Sequence, residues 1–143
     1  MKKLLLLLGL LAVIVGVMYV FRSEKSVLNL PEKTISLIVV DSNPERERGL
    51  SGREKLADDS AMLFVFDAVD DHTFWMKEMK FPIDIIWLDE TFKVVHIESD
   101  VSPATYPEIF SSPEKSRYVL ETNAHFSREN NIKIGDILGI VLH

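Results

Sequence analysis

Five side chains carry most of the chemical potential of this sequence: Trp75, Lys77, Asp84, Arg53 and Glu121. Alternation along residues 73–77 (TFWMK) puts Trp75 and Lys77 on one face of a strand and Phe74 and Met76 on the other. An aromatic plane beside a cation suits an anionic or sugar-like ligand. The same pair also fits a core tryptophan with the lysine stem running past it to water. Asp84 lies in residues 83–89 (IDIIWLD), sharing a face with Ile86 and Leu88, while Ile83, Ile85 and Trp87 take the other. With both faces apolar, Asp84 is expected to be partly buried, and it must find a partner or stay protonated. Lys77 and Arg53 are the candidate partners. Asp84 is then either a perturbed acid in a pocket or a structural carboxylate capping loop N–H groups near Pro82. Arg53 follows Gly52 in a tight loop and can fork onto a carboxylate. Glu121 shares a strand face with Val119 and Arg117. Arg53 and Glu121 are each also compatible with plain surface charge.

No complete catalytic, metal or nucleotide motif accompanies these residues. His72, His96, His125 and His143 are scattered without short ligand spacing, and there is no cysteine, so no metal or other cofactor is expected. Residues 49–52 (GLSG) lack the spacing of a nucleophile elbow. Gly49 and Gly52 are not followed by the Lys-Ser/Thr of a phosphate loop. Residues 45–48 read as a solvated helix face.

The elements that must position these groups are mostly strands. Residues 34–41 (TISLIVVD), 62–66 (MLFVF), 73–77, 83–89, 93–98 (KVVHIE), 117–122 (RYVLET) and 137–142 read as strands. The segments 83–89 and 93–98 are expected to form a hairpin, and residues 67–71 a turn. Residues 42–45 (SNPE) start a short helix, with a polar cap and an early proline, and Gly49 stops it. Residues 50–56 read as a turn or second helical piece, and residues 123–130 as a further short helix. Residues 99–116 show no period; a loop of that length in a compact domain is uncommon. Strands without long crossover helices predict a mainly β fold, an antiparallel sandwich or barrel with two or three short helices.

Ahead of this domain runs an uncharged stretch, residues 4–21 (LLLLLGLLAVIVGVMYVF), flanked by Lys2, Lys3 and Arg22. As a helix at about 1.5 Å per residue it just spans a hydrocarbon core of roughly 30 Å. It is longer than a usual signal-peptide core and ends in bulky residues, so it reads as an uncleaved signal anchor rather than a cleaved signal. The expected organisation is a transmembrane segment at 1–25, a tether at 26–33 and a globular domain at 34–143. The positive-inside rule mildly favours a cytoplasmic amino terminus, which places the domain outside the cytoplasm, periplasmic or at the cell surface. Cleavage would instead make it secreted.

Charge narrows the partners. Residues 1–25 hold Lys2, Lys3, Arg22, Lys25 and Glu24, a net +3, which leaves −9 on residues 26–143 of the chain's −6. An acidic domain with no basic stripe repels phosphate backbones, so nucleic acid is not an expected partner.

Several segments occur together in an order that resembles domain-of-unknown-function family 192: residues 48–56 (RGLSGREKL), 62–66, 74–77 (FWMK), 82–85 (PIDI), 118–121 (YVLE) and Gly135-Asp136. The resemblance covers about residues 34–142. It implies an all-β, jelly-roll-like sandwich with small helices, and no activity. The chain departs from the pattern at Ser51, where Met is usual, at Ala61, where Gly is usual, at Glu78-Met79, where Asn-Thr is usual, and at His125, where Gly is common. Ala61 implies a backbone that need not take a positive φ. Glu78-Met79 removes two hydrogen-bonding side chains beside Lys77.

Three functions follow as expectations: a membrane-tethered module binding a small ligand or glycan through Trp75, Lys77 and Asp84; a cell-envelope hydrolase or lyase with Asp84 as acid or base; or a scaffold for a neighbouring membrane protein.

Overall fold

The structure is a computed structural model, and it describes residues 25–143. The expected anchor at residues 4–21 lies outside the described residues. Among the described residues no helix is long and apolar enough to cross a membrane.

Among the described residues nine strands form the body: β1 (Val27–Asn29), β2 (Thr34–Val40), β3 (Ser60–Asp70), β4 (Thr73–Trp75), β5 (Ile83–Leu88), β6 (Val94–Val101), β7 (Ile109–Ser111), β8 (Ser116–Asn123) and β9 (Gly139–Val141). Two short helices interrupt them, α1 (Asn43–Arg48) and α2 (Phe126–Glu129). Seven strands make one curled sheet in the order β6-β5-β8-β3-β2-β1-β9, and β4 pairs with β7 in a separate ribbon.

The mainly β expectation holds, and of the sandwich and barrel alternatives the structure is nearer the barrel: the seven-stranded sheet curls into a half-barrel. Its two ends approach each other, because Lys93, just before β6, bridges Ile137, just before β9, and Leu138 N–H donates to the Phe92 carbonyl at 3.0 Å. The sheet is not wholly antiparallel. β2 and β3 run parallel, with Leu37 opposite Ala61 and Val39 opposite Leu63. The connection between them carries α1, and a parallel pair needs such a crossover.

Alternation splits the core by sheet face. Leu28, Ile35, Leu63, Ile86, Leu120 and Ile140 belong to an inner cluster that draws on all seven strands. Met62, Phe64, Ile85, Trp87 and Val119 belong to an outer one, covered by Leu50, Leu56, Phe74 and Met76 from the loop after α1 and the β4 ribbon. All six residues of β5 are buried, as apolar residues on both faces require of a strand flanked on both sides. Burying each large aliphatic side chain contributes about 1.5–3 kcal/mol. The Trp87 indole N–H, which needs a partner at that depth, donates to the His72 carbonyl at 2.9 Å.

Several segments differ from expectation. Residues 26–33, read as a tether, contain β1, whose Leu28 is fully buried between β2 and β9. Residues 67–71, read as a turn, mostly continue β3. Its last four side chains, Ala68 and Val69 among them, face solvent, so no buried apolar face marks the strand, and pairing resumes at Asp70–Ser116 after an irregularity. The stretch without a period holds β7 and a 3-10 turn, Pro103–Thr105. The last strand is cut to Gly139–Val141, and a Cβ on Gly139 would stand 2.9 Å from the Asn29 carbonyl oxygen.

Candidate functional site

The outer face of the sheet is incompletely covered, and the gap is a cleft of about 690 Å³, within the usual range of small-molecule sites. One wall is α1 and the loop after it. Ser42 starts the helix, its hydroxyl donating to the Glu45 carboxylate at 2.5 Å, which holds that acid below its ordinary range. Arg46 is tied down: its guanidinium donates to the Asp41 carbonyl and, at 2.7 Å, to the Val65 carbonyl. Gly49 ends the helix at φ 49°, and a Cβ there would press on the Phe64 ring at 3.2 Å.

The other wall is β4 and the turn beyond it. Phe74 packs inward, edge-on to Phe64 at 4.9 Å and to Trp87 at 6.0 Å. Trp75 turns outward and is half exposed, with Tyr106 at 5.9 Å and the Lys77 Nζ 5.5 Å above its ring. Two bonds clamp the walls together. The Ser51 hydroxyl donates to the Lys77 carbonyl at 2.9 Å, and Gly52 N–H donates to the Glu78 carbonyl at 2.9 Å.

Glu121 also lines this cleft. It sits on β8 between Met62 of β3 and Ile85 of β5. It is 5 % exposed, and its Oε2 has no hydrogen-bond partner. Burial pushes its carboxyl up to about 8, because ionising it there forfeits hydration with nothing in return. The entrance is cationic: Arg48 and Lys77 border the cleft, and neither side chain has a hydrogen bond or ion pair among the described residues. The lining thus combines cations without an ion pair, an exposed aromatic ring (Trp75) backed by Phe66 and Phe74, the acid Glu47 and one desolvated acid, Glu121.

Of the five residues singled out from the sequence, the structure brings Trp75, Lys77 and Glu121 together. Trp75 and Lys77 do share a face, and Trp75 is not a core residue. Asp84 lies elsewhere. It faces the inner side of the sheet, is fully buried, and is paired with neither Lys77 nor Arg53. Its Oδ1 accepts from the N–H groups of Asp100 (2.9 Å) and His125 (3.1 Å), and its Oδ2 from the N–H (2.8 Å) and hydroxyl (2.6 Å) of Ser127. This is the capping role: Asp84 anchors the start of α2 and the β6 strand to β5. It does not line the cleft between α1 and β4, and both its oxygens are committed to these donors. Arg53 is exposed and outside the cleft, its backbone N–H bonded to the Leu50 carbonyl.

Arg48 and the phenylalanine walls escaped the sequence reading. Arg48 belonged to a helix face read as solvated; its place directly before the helix-ending Gly49 was the available signal. The departures from the family pattern also acquire reasons. Glu78 and His125 both take positive φ, 57° and 72°, where Asn and Gly cost less. Ala61 does not. Met79 lines the cleft, which makes that wall apolar, and Ser51 supplies one of the clamping bonds. Among the described residues no group of three or more His, Asp or Glu is placed to hold a metal ion.

The fold and the cleft define a class: small, mainly β domains built on one curled sheet, with a pocket on its outer face. The chain belongs to the DUF192 family (uncharacterized ACR), whose model matches residues 26–140. Two solved structures are similar. One is a chain from Sinorhizobium meliloti 1021 described as a proposed transcription regulator, 27 % identical, with a TM-score of 0.74, covering 82 % of this chain and 92 % of that one. The other is a protein of unknown function from Novosphingobium aromaticivorans DSM 12444, 24 % identical, with a TM-score of 0.71, covering 80 % of this chain and 82 % of that one. No curated protein matches.

Proposed function

We propose that this domain is a small-ligand binding module whose site is the cleft between α1 and β4. The observation that carries the reading is Glu121, a buried acid whose Oε2 has no partner, lining a pocket bordered by Arg48 and Lys77, which hold no ion pair, and by the exposed Trp75 ring. Stability alone does not call for such a group, since an apolar residue there would cost less. Polar groups converging in a mostly apolar pocket are the usual mark of a ligand site. The cations at the mouth favour a ligand with an anionic group, although the domain as a whole is acidic. That overall charge disfavours nucleic acid as the partner.

The same reading keeps the domain at a membrane, held by the apolar run of residues 4–21 and placed outside the cytoplasm. Fractionation of the full chain tests that part: recovery in the soluble fraction after a carbonate wash would refute it. For the site, a thermal-shift screen of small anions and glycans on the full chain is the test, repeated with Arg48→Ala and Lys77→Ala. A ligand response that both variants abolish supports the cleft. A response untouched by either variant, or no response across the screen, refutes it.

A further inference from the structure

The unpartnered acid narrows the ligand further. Glu121 Oε2 is sealed from solvent without a partner, which leaves the other carboxyl oxygen to meet the cleft, while at the mouth of the same cleft Arg48 and Lys77 make no hydrogen bond or ion pair, Lys77 lying over the Trp75 ring. We propose that Glu121 is the hydrogen-bond donor of this cleft to a small organic anion with a flat apolar body, such as an aromatic carboxylate, so that ligand and one proton are held together. The inference rests on the ligand-binding reading above and adds the chemical class and the role of the acid.

The surroundings argue for a donor rather than a counter-ion. The cross-strand neighbours of Glu121 are Met62 and Ile85, which offer no charge. Along β8, Arg117 is committed to the Asp67 carbonyl. From α1 come Arg46, Glu47 and Arg48, and from the turn after β4 comes Lys77. Arg46 is already bound to backbone carbonyls. His72 stacks on the cleft-lining Phe66 at 3.5 Å, and burial lowers its own proton affinity. Nothing among these groups neutralises an ionised Glu121 by contact. Burial therefore leaves it undissociated at neutral pH, its value about 8. An undissociated carboxyl donates one hydrogen bond, and an ionised one only accepts. A cationic ligand would meet Arg48 and Lys77 first; an anion is drawn in by them and then meets a donor. The half-exposed Trp75 provides a face for a ring, and the part-buried Phe66 and Phe74 line the same cleft.

A bound anion strengthens the hold of Glu121 on its proton, so binding takes up a proton wherever the free protein has lost it. The test uses the full chain and benzoate, titrated by calorimetry from about pH 6 to about pH 9.5 in buffers of differing ionisation heat. The expected result is constant affinity below about pH 8 and a loss of about tenfold per pH unit above it, with proton uptake on binding in that upper range. Glu121→Gln, which keeps an N–H donor, is expected to bind with a flat profile. If that variant fails to fold, proton uptake by the unaltered protein still decides the question. Benzoate bound with a flat profile and no proton uptake overturns the donor role and leaves the cleft reading standing. Absence of benzoate binding at every pH overturns the inference alone, because the wider anion and glycan screen judges the cleft itself.

Discussion

Asp84 and Glu121 stand on adjacent strands, one register step apart, and face opposite sides of the same sheet. Asp84 is opposite Thr122 and Glu121 opposite Ile85. Both are buried acids, yet Asp84 accepts four hydrogen bonds and the Oε2 of Glu121 none. Asp84 holds the fold together, while Glu121 burdens it and is available for function.

Removing Asp84 should therefore damage stability and spare the cleft. Asp84→Ala strands the N–H groups of Asp100 and Ser127, while the His125 N–H keeps the Asp100 carboxylate and the Ser127 hydroxyl keeps Ser99. The cost is expected to be roughly 2–5 kcal/mol, read from the urea midpoint. A loss under about 1 kcal/mol would show that α2 does not depend on this acid.

Glu121 should behave in the opposite way, and its effect should depend on pH. Its folded-state value of about 8 lies above the ordinary 4.5. Below about pH 4.5 both folded and unfolded chains keep the proton, and the group makes no difference between them. As pH rises from there towards 8, the unfolded chain gives up its proton and the folded one does not, so stability falls. Above about 8 the penalty is complete. Glu121→Met is expected to gain on the unaltered protein by a few kcal/mol, on the order of the full shift, between about pH 4.5 and 8. A gap that stays the same from pH 4 to pH 9 would contradict this.

Arg48 has no hydrogen bond or ion pair to lose, and Lys77 only its place over the half-exposed Trp75 ring. Arg48→Ala and Lys77→Ala are each expected to change stability by less than about 0.5 kcal/mol, as for ordinary surface positions. Thermal denaturation checks this; a drop of several degrees would mean that the cations serve the fold.

Glu78 occupies a left-handed backbone conformation at φ 57° while its carbonyl holds the Gly52 N–H. Glu78→Asn is expected to stabilise by roughly 0.5–1 kcal/mol, by easing φ and leaving that bond intact. An unchanged or lower melting temperature would mean that the Glu78 side chain compensates for its backbone.

Much of the framework was legible in the sequence because period-2 alternation is a local signal. It placed Ile83, Ile85 and Trp87 on one face and Asp84, Ile86 and Leu88 on the other, as found. It also placed Trp75 and Lys77 together. The curl of the sheet was not legible, since it depends on long-range contacts such as Lys93–Ile137 that leave no local pattern. The parallel β2–β3 pair was hidden because its crossover contains only a six-residue helix. Glu121 looked like surface charge because alternation assigns a face but not what covers it. Its burial comes from the distant loop after α1 and from β4, which wall the cleft.

The account turns on Glu121 keeping its proton in the cleft, and carbon NMR titration of that side-chain carboxyl in the full chain measures this directly, with Glu121→Gln assigning the signal. The predicted midpoint is about 8. A midpoint near the ordinary 4.5 would show the acid solvated or paired, and the assignment of this cleft as a proton-coupled anion site would be wrong.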